Sequence, residues 1–315
     1  MAEKAVQRET VLSLRETIAQ IENRRLPGVV RAAKATDPTG FRRKREEASR
    51  NKILPLGVPR LDDVLEGGLP LEGMTEIRNA ETRDAGAAAG FVTALAVLCQ
   101  QRKKEKGHLA PVLWISQALA SREAGLPYAP GLKSYGLDIE RFLFVSIRTV
   151  KDALWVAETA LSVPVFAAVV LEIRGNPDCL ALSESRRLHV RARAGGVPLL
   201  LFRQAGEEEA SSAFFRLQIK PASAGEQPLP DGSMLCGSIG HPAFHVLVEK
   251  SRAYASADIF LEWNAHDRRF YTIEQSVAPQ ADGQSANSVD PFSASVGRSS
   301  GADSLGRLLA YARAS

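Results

Sequence analysis

Several groups of residues in this chain have the types and spacings that chemistry requires. Cys236, His241 and His245 fall within ten residues, a spacing that suggests zinc, but a tetrahedral site needs four ligands, or three and an open position. No fourth candidate lies near, so no metal is expected. Ser49-x-x-Lys52 has an acylating spacing inside a charged segment with no pocket around it, and Gly237-Ser-Ile-Gly240 lacks the glycine two places before Ser238 that a nucleophile elbow needs. No catalytic residue is assigned from either. Two basic groups stand out instead. Arg42, Arg43, Lys44 and Arg45 are consecutive, and Arg186, Arg187, Arg191 and Arg193 share a face at helical spacing. Either group could meet DNA phosphate or an acidic partner; the alternatives are a solvated linker and a solvated helix face.

The most specific stretch is 56–77, Leu-Gly-Val-Pro-Arg-Leu-Asp-Asp-Val-Leu-Glu-Gly-Gly-Leu-Pro-Leu-Glu-Gly-Met-Thr-Glu-Ile. It resembles the lead-in to the nucleotide-binding core of RecA-family recombinases, where a Leu-Asp helix and a Gly-Gly-Leu-Pro turn precede a strand and the phosphate loop G-x-x-x-x-G-K-[ST]. That loop works because glycines let backbone N–H groups close on phosphates, while Lys supplies charge and a hydroxyl binds Mg²⁺. Here those positions are Asn79, Asp84, Ala85 and Gly86, so every chemically required residue has changed. Asp84 would set a carboxylate against the phosphates. Two like charges about 4 Å apart repel by about 4 kcal/mol at an effective dielectric near 20. Arg83 precedes the helix and is expected to have no fixed geometry.

The same resemblance supplies further positions. Ala118 stands where the family has its water-activating Glu, Glu172 where it has the Mg²⁺-associated Asp, and Gln204 where it has the nucleotide-sensing Gln. Lys250 and Arg252 match two cations that reach a neighbouring subunit's nucleotide. The glycine-rich loops that grip single strands have weak counterparts around 205–213 and 222–240. The resemblance implies a scaffold kept over roughly 50–275 with its ATP chemistry lost, no cofactor, and no ATP hydrolysis. An ATPase using Arg83, Lys250 and Arg252 in place of the missing Lys is the alternative.

Elements must hold these residues in place. Apolar runs at 111–115, 142–145, 165–171 and 197–202 read as strands, and 87–101, 151–161 and 180–194 read as helices between them. Strands that are apolar throughout and alternate with helices imply a mainly parallel sheet covered on both faces. After residue 210 only β patterns follow, at 214–219, 243–248, 259–263 and 270–273, expected to be antiparallel strands that extend the sheet. The fold expected is α/β: a RecA-like core with a mainly parallel twisted sheet flanked by helices, and antiparallel strands on its C-terminal side. Trp114 and Trp155 are expected in the core, with Trp263 in a late strand. Four zones result: an amphipathic helix in 1–27 (Val11, Leu14, Ile18, Ile21), a basic linker 28–52, the core 53–275, and a polar tail 276–315, expected to be disordered, with a short terminal amphipathic helix.

Charge is distributed unevenly over the 315 residues, which carry 40 Lys+Arg and 36 Asp+Glu. Residues 1–52 hold 13 basic and 7 acidic side chains (+6), leaving 40 − 13 = 27 against 36 − 7 = 29 (−2) in the remainder. The apolar stretch 160–173 is broken by Ser162 and Pro164 and is shorter than the roughly 20 residues a bilayer span needs, so no membrane is expected. The start has no apolar core and cleavage site, and Cys99, Cys179 and Cys236 are few and scattered, which fits a reduced cytosol.

A RecA-like core with a ruined phosphate loop, a leading helix, a basic linker and a Ser-rich tail resembles the ImuA family of bacterial SOS mutagenesis proteins. That resemblance implies a noncatalytic accessory or scaffold in error-prone translesion synthesis. Its partners would be a Y-family-like polymerase relative and an error-prone replicative-type polymerase subunit, with RecA recombinase a further candidate. DNA contact would be weak or indirect, and the setting cytoplasmic and nucleoid-associated. A DNA-binding module acting through the basic linker is a further reading.

Overall fold

The computed structural model describes residues 52–229, 233–251 and 257–273. The leading helix, the linker with Arg42, Arg43, Lys44 and Arg45, the tail and Arg252 lie outside the described residues. In chain order the elements are β1 Ile53–Leu54, α1 Pro59–Val64, β2 Leu69–Pro70, β3 Gly73–Arg78, a 3₁₀ turn Thr82–Asp84, and α2 Ala85–Glu105. Then come β4 Val112–Gln117, α3 Ala118–Ala124, α4 Ala129–Ser134, a 3₁₀ turn Ile139–Arg141, β5 Phe142–Ile147, α5 Val150–Leu161, β6 Ala168–Arg174 and α6 Leu182–Gly195. The remaining strands are β7 Pro198–Gln204, β8 Phe215–Pro221, β9 Gln227–Pro228, β10 Met234–Leu235, β11 Ala243–Lys250, β12 Asp258–Asn264 and β13 Arg269–Thr272.

Nine strands form one sheet in the order β13-β12-β11-β8-β3-β7-β6-β4-β5. From β8 to β5 every pairing is parallel; β11, β12 and β13 add on antiparallel. This is the mainly parallel α/β sheet with antiparallel strands on its C-terminal side that the sequence pattern implied. Its central strands bury both faces because their apolar residues run without interruption. Val170, Leu200 and Phe202 face one core with α2, while Val169, Leu171, Leu199 and Leu201 face a second core with α5 and α6. Helix α2 is apolar nearly all round, as a fully embedded helix must be. The segment Thr82–Glu105 is long and apolar enough to cross a membrane, yet two-thirds of it is buried inside the fold.

Two expectations need correction. Trp114 and Trp263 are buried, but Trp155 is 68% exposed. It lies on the outward side of α5, opposite Ala153, Ala157 and Ala160, which face the sheet. Strand β8, which the sequence pattern suggests is antiparallel, is so only to β11; on its other side it runs parallel to β3, through the pairs Thr75↔Phe215 and Arg78↔Gln218. β7 and β8 flank β3 on opposite sides, so the segment 205–214 has to return across the sheet with no helix of its own.

Candidate functional site: the cavity beside the long core helix and the pinned crossover

Strand β3 delivers the chain to the carboxyl end of the sheet, where open α/β folds bind ligands. Asn79 is fully buried there: its N–H donates to the Arg203 carbonyl at 3.2 Å and its Nδ2 to the Glu81 carbonyl at 2.7 Å. A phosphate loop would wrap at this point. The chain makes a 3₁₀ turn instead and enters α2 at Ala85. Asp84 occupies the N-cap without a side-chain capping bond and is 9% exposed. Arg83 is not without fixed geometry: its Nε lies 2.9 Å from Glu81 Oε2 and 4.0 Å from Asp84 Oδ1. Arg174 from the end of β6 is similarly engaged, donating to Thr82 Oγ1 at 3.1 Å and pairing with Glu123 at 3.6 Å.

Beside the first turns of α2 opens a cavity of about 340 Å³ that gathers Ala85, Gly86, Glu172 and Gln204. Small residues make its α2 wall (Ala85, Gly86, Ala89, Gly90), and Tyr128 and Tyr135 stand opposite. None of its lining residues is a Lys or Arg. Sequence reasoning missed the two tyrosines and the small wall; the run Ala-Gly-Ala-Ala-Ala-Gly at 85–90 was the available signal, since only small residues leave such space beside a helix. Gly90 shows it, because a Cβ there would meet the Tyr135 hydroxyl at 2.6 Å.

Glu172 is buried at the cavity floor. Trp114 Nε1 donates to its Oε2 at 2.8 Å, and Gln204 Nε2 donates to its Oε1. Burial pushes its carboxyl above the usual 4.5, with the bonds from Trp114, Ser116 and Gln204 pulling back. Both oxygens are thus committed to protein donors. Ala118, at the start of α3, brings no carboxylate. A Mg²⁺–triphosphate needs a cation, a hydroxyl and an available carboxylate. The residues present do not fit it.

The segment 205–213, a weak counterpart of a DNA-gripping loop in the sequence, is tied down along its length. Arg78 Nη1 donates to the Gly206 carbonyl at 2.8 Å, Asn176 Oδ1 accepts from Glu207 N at 2.7 Å, and Ser185 Oγ accepts from Ser212 N at 3.1 Å. Beneath it lies a buried ionic cluster. Glu76 on β3 faces Arg216 on β8 across the strand pair and Arg203 diagonally on β7. The guanidinium Nε atoms stand 3.3 and 3.1 Å from its two oxygens, and Ser211 Oγ donates to it at 2.5 Å. Lys250 is kept in charge but faces inward on this cluster, with Nζ donating to the Ser211 carbonyl at 2.6 Å. Burial, and then the nearby Arg216 charge, lower its pKa.

The other sequence candidates lie apart from the cavity. Arg186, Arg187, Arg191 and Arg193 are exposed on α6, and Arg187 pairs with Glu158 of α5 at 2.5 Å. His245 bonds Asp258 at 2.5 Å and stacks on Phe260. Cys99 is buried, its thiol pushed up to about 12 by desolvation.

The chain matches no known family profile and no curated protein. Among solved structures it is similar to the RadB recombinase at 16% identity and a TM-score of 0.45, a match that covers 70% of this chain and 100% of that one.

Proposed function

We propose that this protein is a noncatalytic RecA-like accessory or scaffold in SOS-induced, error-prone translesion DNA synthesis. It would act through contacts with mutagenic polymerase components, and with a recombinase as a further partner. The observation that carries the noncatalytic part is the cavity beside α2: no cation lines it, and both oxygens of Glu172 are held by Trp114 and Gln204. The pinned 205–213 segment supports the same reading, because a loop bonded to the sheet face has little freedom to close around a DNA strand. The role in translesion synthesis rests on the sequence resemblance to the ImuA family.

The reading of an ATPase with a rearranged loop is less well supported. Arg83 pairs with Glu81, and Lys250 turns to Ser211 of its own chain. Titration calorimetry with MgATP at millimolar concentration separates the two: the noncatalytic reading expects no binding heat, and a saturable heat would refute it. The scaffold role is tested by capture from DNA-damaged cells using chains with and without 276–315. Polymerase components are expected among the captured proteins, and their absence from both captures would reject the assignment to translesion synthesis.

A further inference from the structure

The opposite end of the sheet, away from the nucleotide cavity, has contrary chemistry. At the C-terminal end of α2 two cavities of about 360 and 590 Å³ share Gln101 and Arg268 in their walls and so adjoin. Their walls hold six Lys or Arg side chains against two acids: Arg102, Lys104, Lys133, Arg141, Arg268 and Arg269, with Glu105 and Asp138. The two acids are already paired, Glu105 with Arg102 at 3.6 Å and Asp138 with Arg141 at 2.9 Å. Lys104, Lys133, Arg268 and Arg269 have no carboxylate at ion-pair distance among the described residues.

Cations in the last turn of a helix have a bland role, offsetting the negative end of the dipole. That covers Arg102 and Lys104. It does not cover Lys133, which comes from α4, Arg268, which ends the turn between β12 and β13, or Arg269, which opens β13. The placement of Arg268 is built into the fold. It holds φ +53, a left-handed conformation uncommon outside glycine. Asn264 Oδ1 fixes that turn by accepting from His266 N and Asp267 N at 3.0 Å. The turn seats on Gly136, where a Cβ would lie 3.3 Å from the Ala265 carbonyl and 3.4 Å from Arg268 Nε. Strain at an arginine that lines a groove is the kind of local cost associated with binding sites.

We propose that this groove binds the phosphate backbone of a single-stranded nucleic acid. The surplus of unpaired cations, from three separate elements, suits a run of phosphates. Tyr271, 41% exposed on the same wall with its hydroxyl donating to Asp267, offers a ring for base stacking. A concave notch admits a flexible strand; a duplex, with a persistence length of about 50 nm, cannot bend into one. None of its lining residues belongs to the arginines of α6 or to the cavity beside the first turns of α2, so it does not depend on the state of that cavity.

The test is fluorescence anisotropy of a labelled oligothymidylate with the full chain across a salt series. Lys133→Glu combined with Arg269→Glu is expected to weaken binding at least about tenfold and to flatten the log–log salt slope by about 1.4, at 0.7 per single-strand phosphate contact. Lys133→Arg with Arg269→Lys is expected to retain binding. Both positions are exposed, so the thermal midpoint should hold; should it fall, Lys133→Gln with Arg269→Gln replaces the reversal and must still weaken binding. Unchanged affinity and slope in these variants overturn the proposal, as does binding lost only when Arg42, Arg43, Lys44 and Arg45 are neutralised. Equal binding of a duplex, or equal competition by polyglutamate, overturns it as well.

Discussion

Glu172 is a buried carboxyl whose two oxygens both accept from protein donors, an indole and an amide. Burial raises its pKa, and the hydrogen bonds it accepts pull the other way without cancelling that rise. Replacement by Ala leaves the Trp114 N–H buried and unbonded, which costs about 1–3 kcal/mol. Glu172→Gln keeps an acceptor for Trp114 and is expected to be far milder in urea unfolding. The two substitutions also separate by pH. Because the folded carboxyl has a raised pKa, the native state binds the extra proton, and stability falls as pH rises from the ordinary 4.5 through the folded value. Glu172→Gln removes that loss, so its stability relative to the parent should improve from pH 4 to pH 7. A difference that stays flat across this range would mean that Glu172 is ionised in the fold. Glu76 is the contrasting case. It is fully buried between Arg203 and Arg216, and Glu76→Gln leaves them only Glu209 at 3.6 Å and Glu208 at 3.3 Å as counter-charges. Breaking a buried pair outright costs about 3–5 kcal/mol, and the shift in urea midpoint is expected to fall below that range because these two carboxylates keep part of the compensation.

At the scale of elements, that cluster explains a connection that sequence patterns do not reveal. Parallel strands are normally joined by a helix, yet 205–214 crosses from β7 to β8 without one, held by Glu76, Ser185, Asn176 and Lys250. The β-only pattern after residue 210 suggests antiparallel pairing because consecutive strands usually neighbour each other; here β3, from far earlier in the chain, lies between them. The central strands are legible because their apolar residues run without interruption between turn signals, and the helices between them because of their length and spacing. Trp155 misleads because its side-chain type says core while its position on α5 says surface. The loop positions 79–86 are legible as substitutions, but the cavity they border is not, because Tyr128 and Tyr135 reach it only through tertiary packing. A closer contact between elements gives a further prediction. α6 ends at Gly195, where a Cβ would fall 1.9 Å from the Leu161 carbonyl at the end of α5. Gly195→Ala therefore has to push two helices apart and should cost about 1–3 kcal/mol in urea unfolding. Parent-like stability would show that the helix ends move apart freely.

Over the whole molecule, the two ends of the sheet differ in charge: the cavity at the carboxyl end is lined by no Lys or Arg, whereas the groove at the amino end holds Lys104, Lys133, Arg268 and Arg269 without a carboxylate at ion-pair distance among the described residues. If the chain binds no nucleotide, as proposed, and the cause is local to the loop, a recombinase-type loop should confer binding. A Cβ added at Gly86 would meet nothing within 4 Å, so a Thr fits, and Asn79 Oδ1 is buried without a hydrogen-bond partner, so a Gly there removes a polar burden. The combination Asn79→Gly, Asp84→Gly, Ala85→Lys and Gly86→Thr is expected to bind MgATP in titration calorimetry. Ala85→Lys alone should give no heat, because Asp84 still opposes the phosphates by about 4 kcal/mol at 4 Å. Even the fourfold variant should not hydrolyse the nucleotide, since Ala118 brings no carboxylate to activate water and Glu172 stays bonded to Trp114 and Gln204. Silence from that variant, with its fold intact by circular dichroism, would place the defect beyond the loop, in the closed geometry of the 3₁₀ turn that leads into α2.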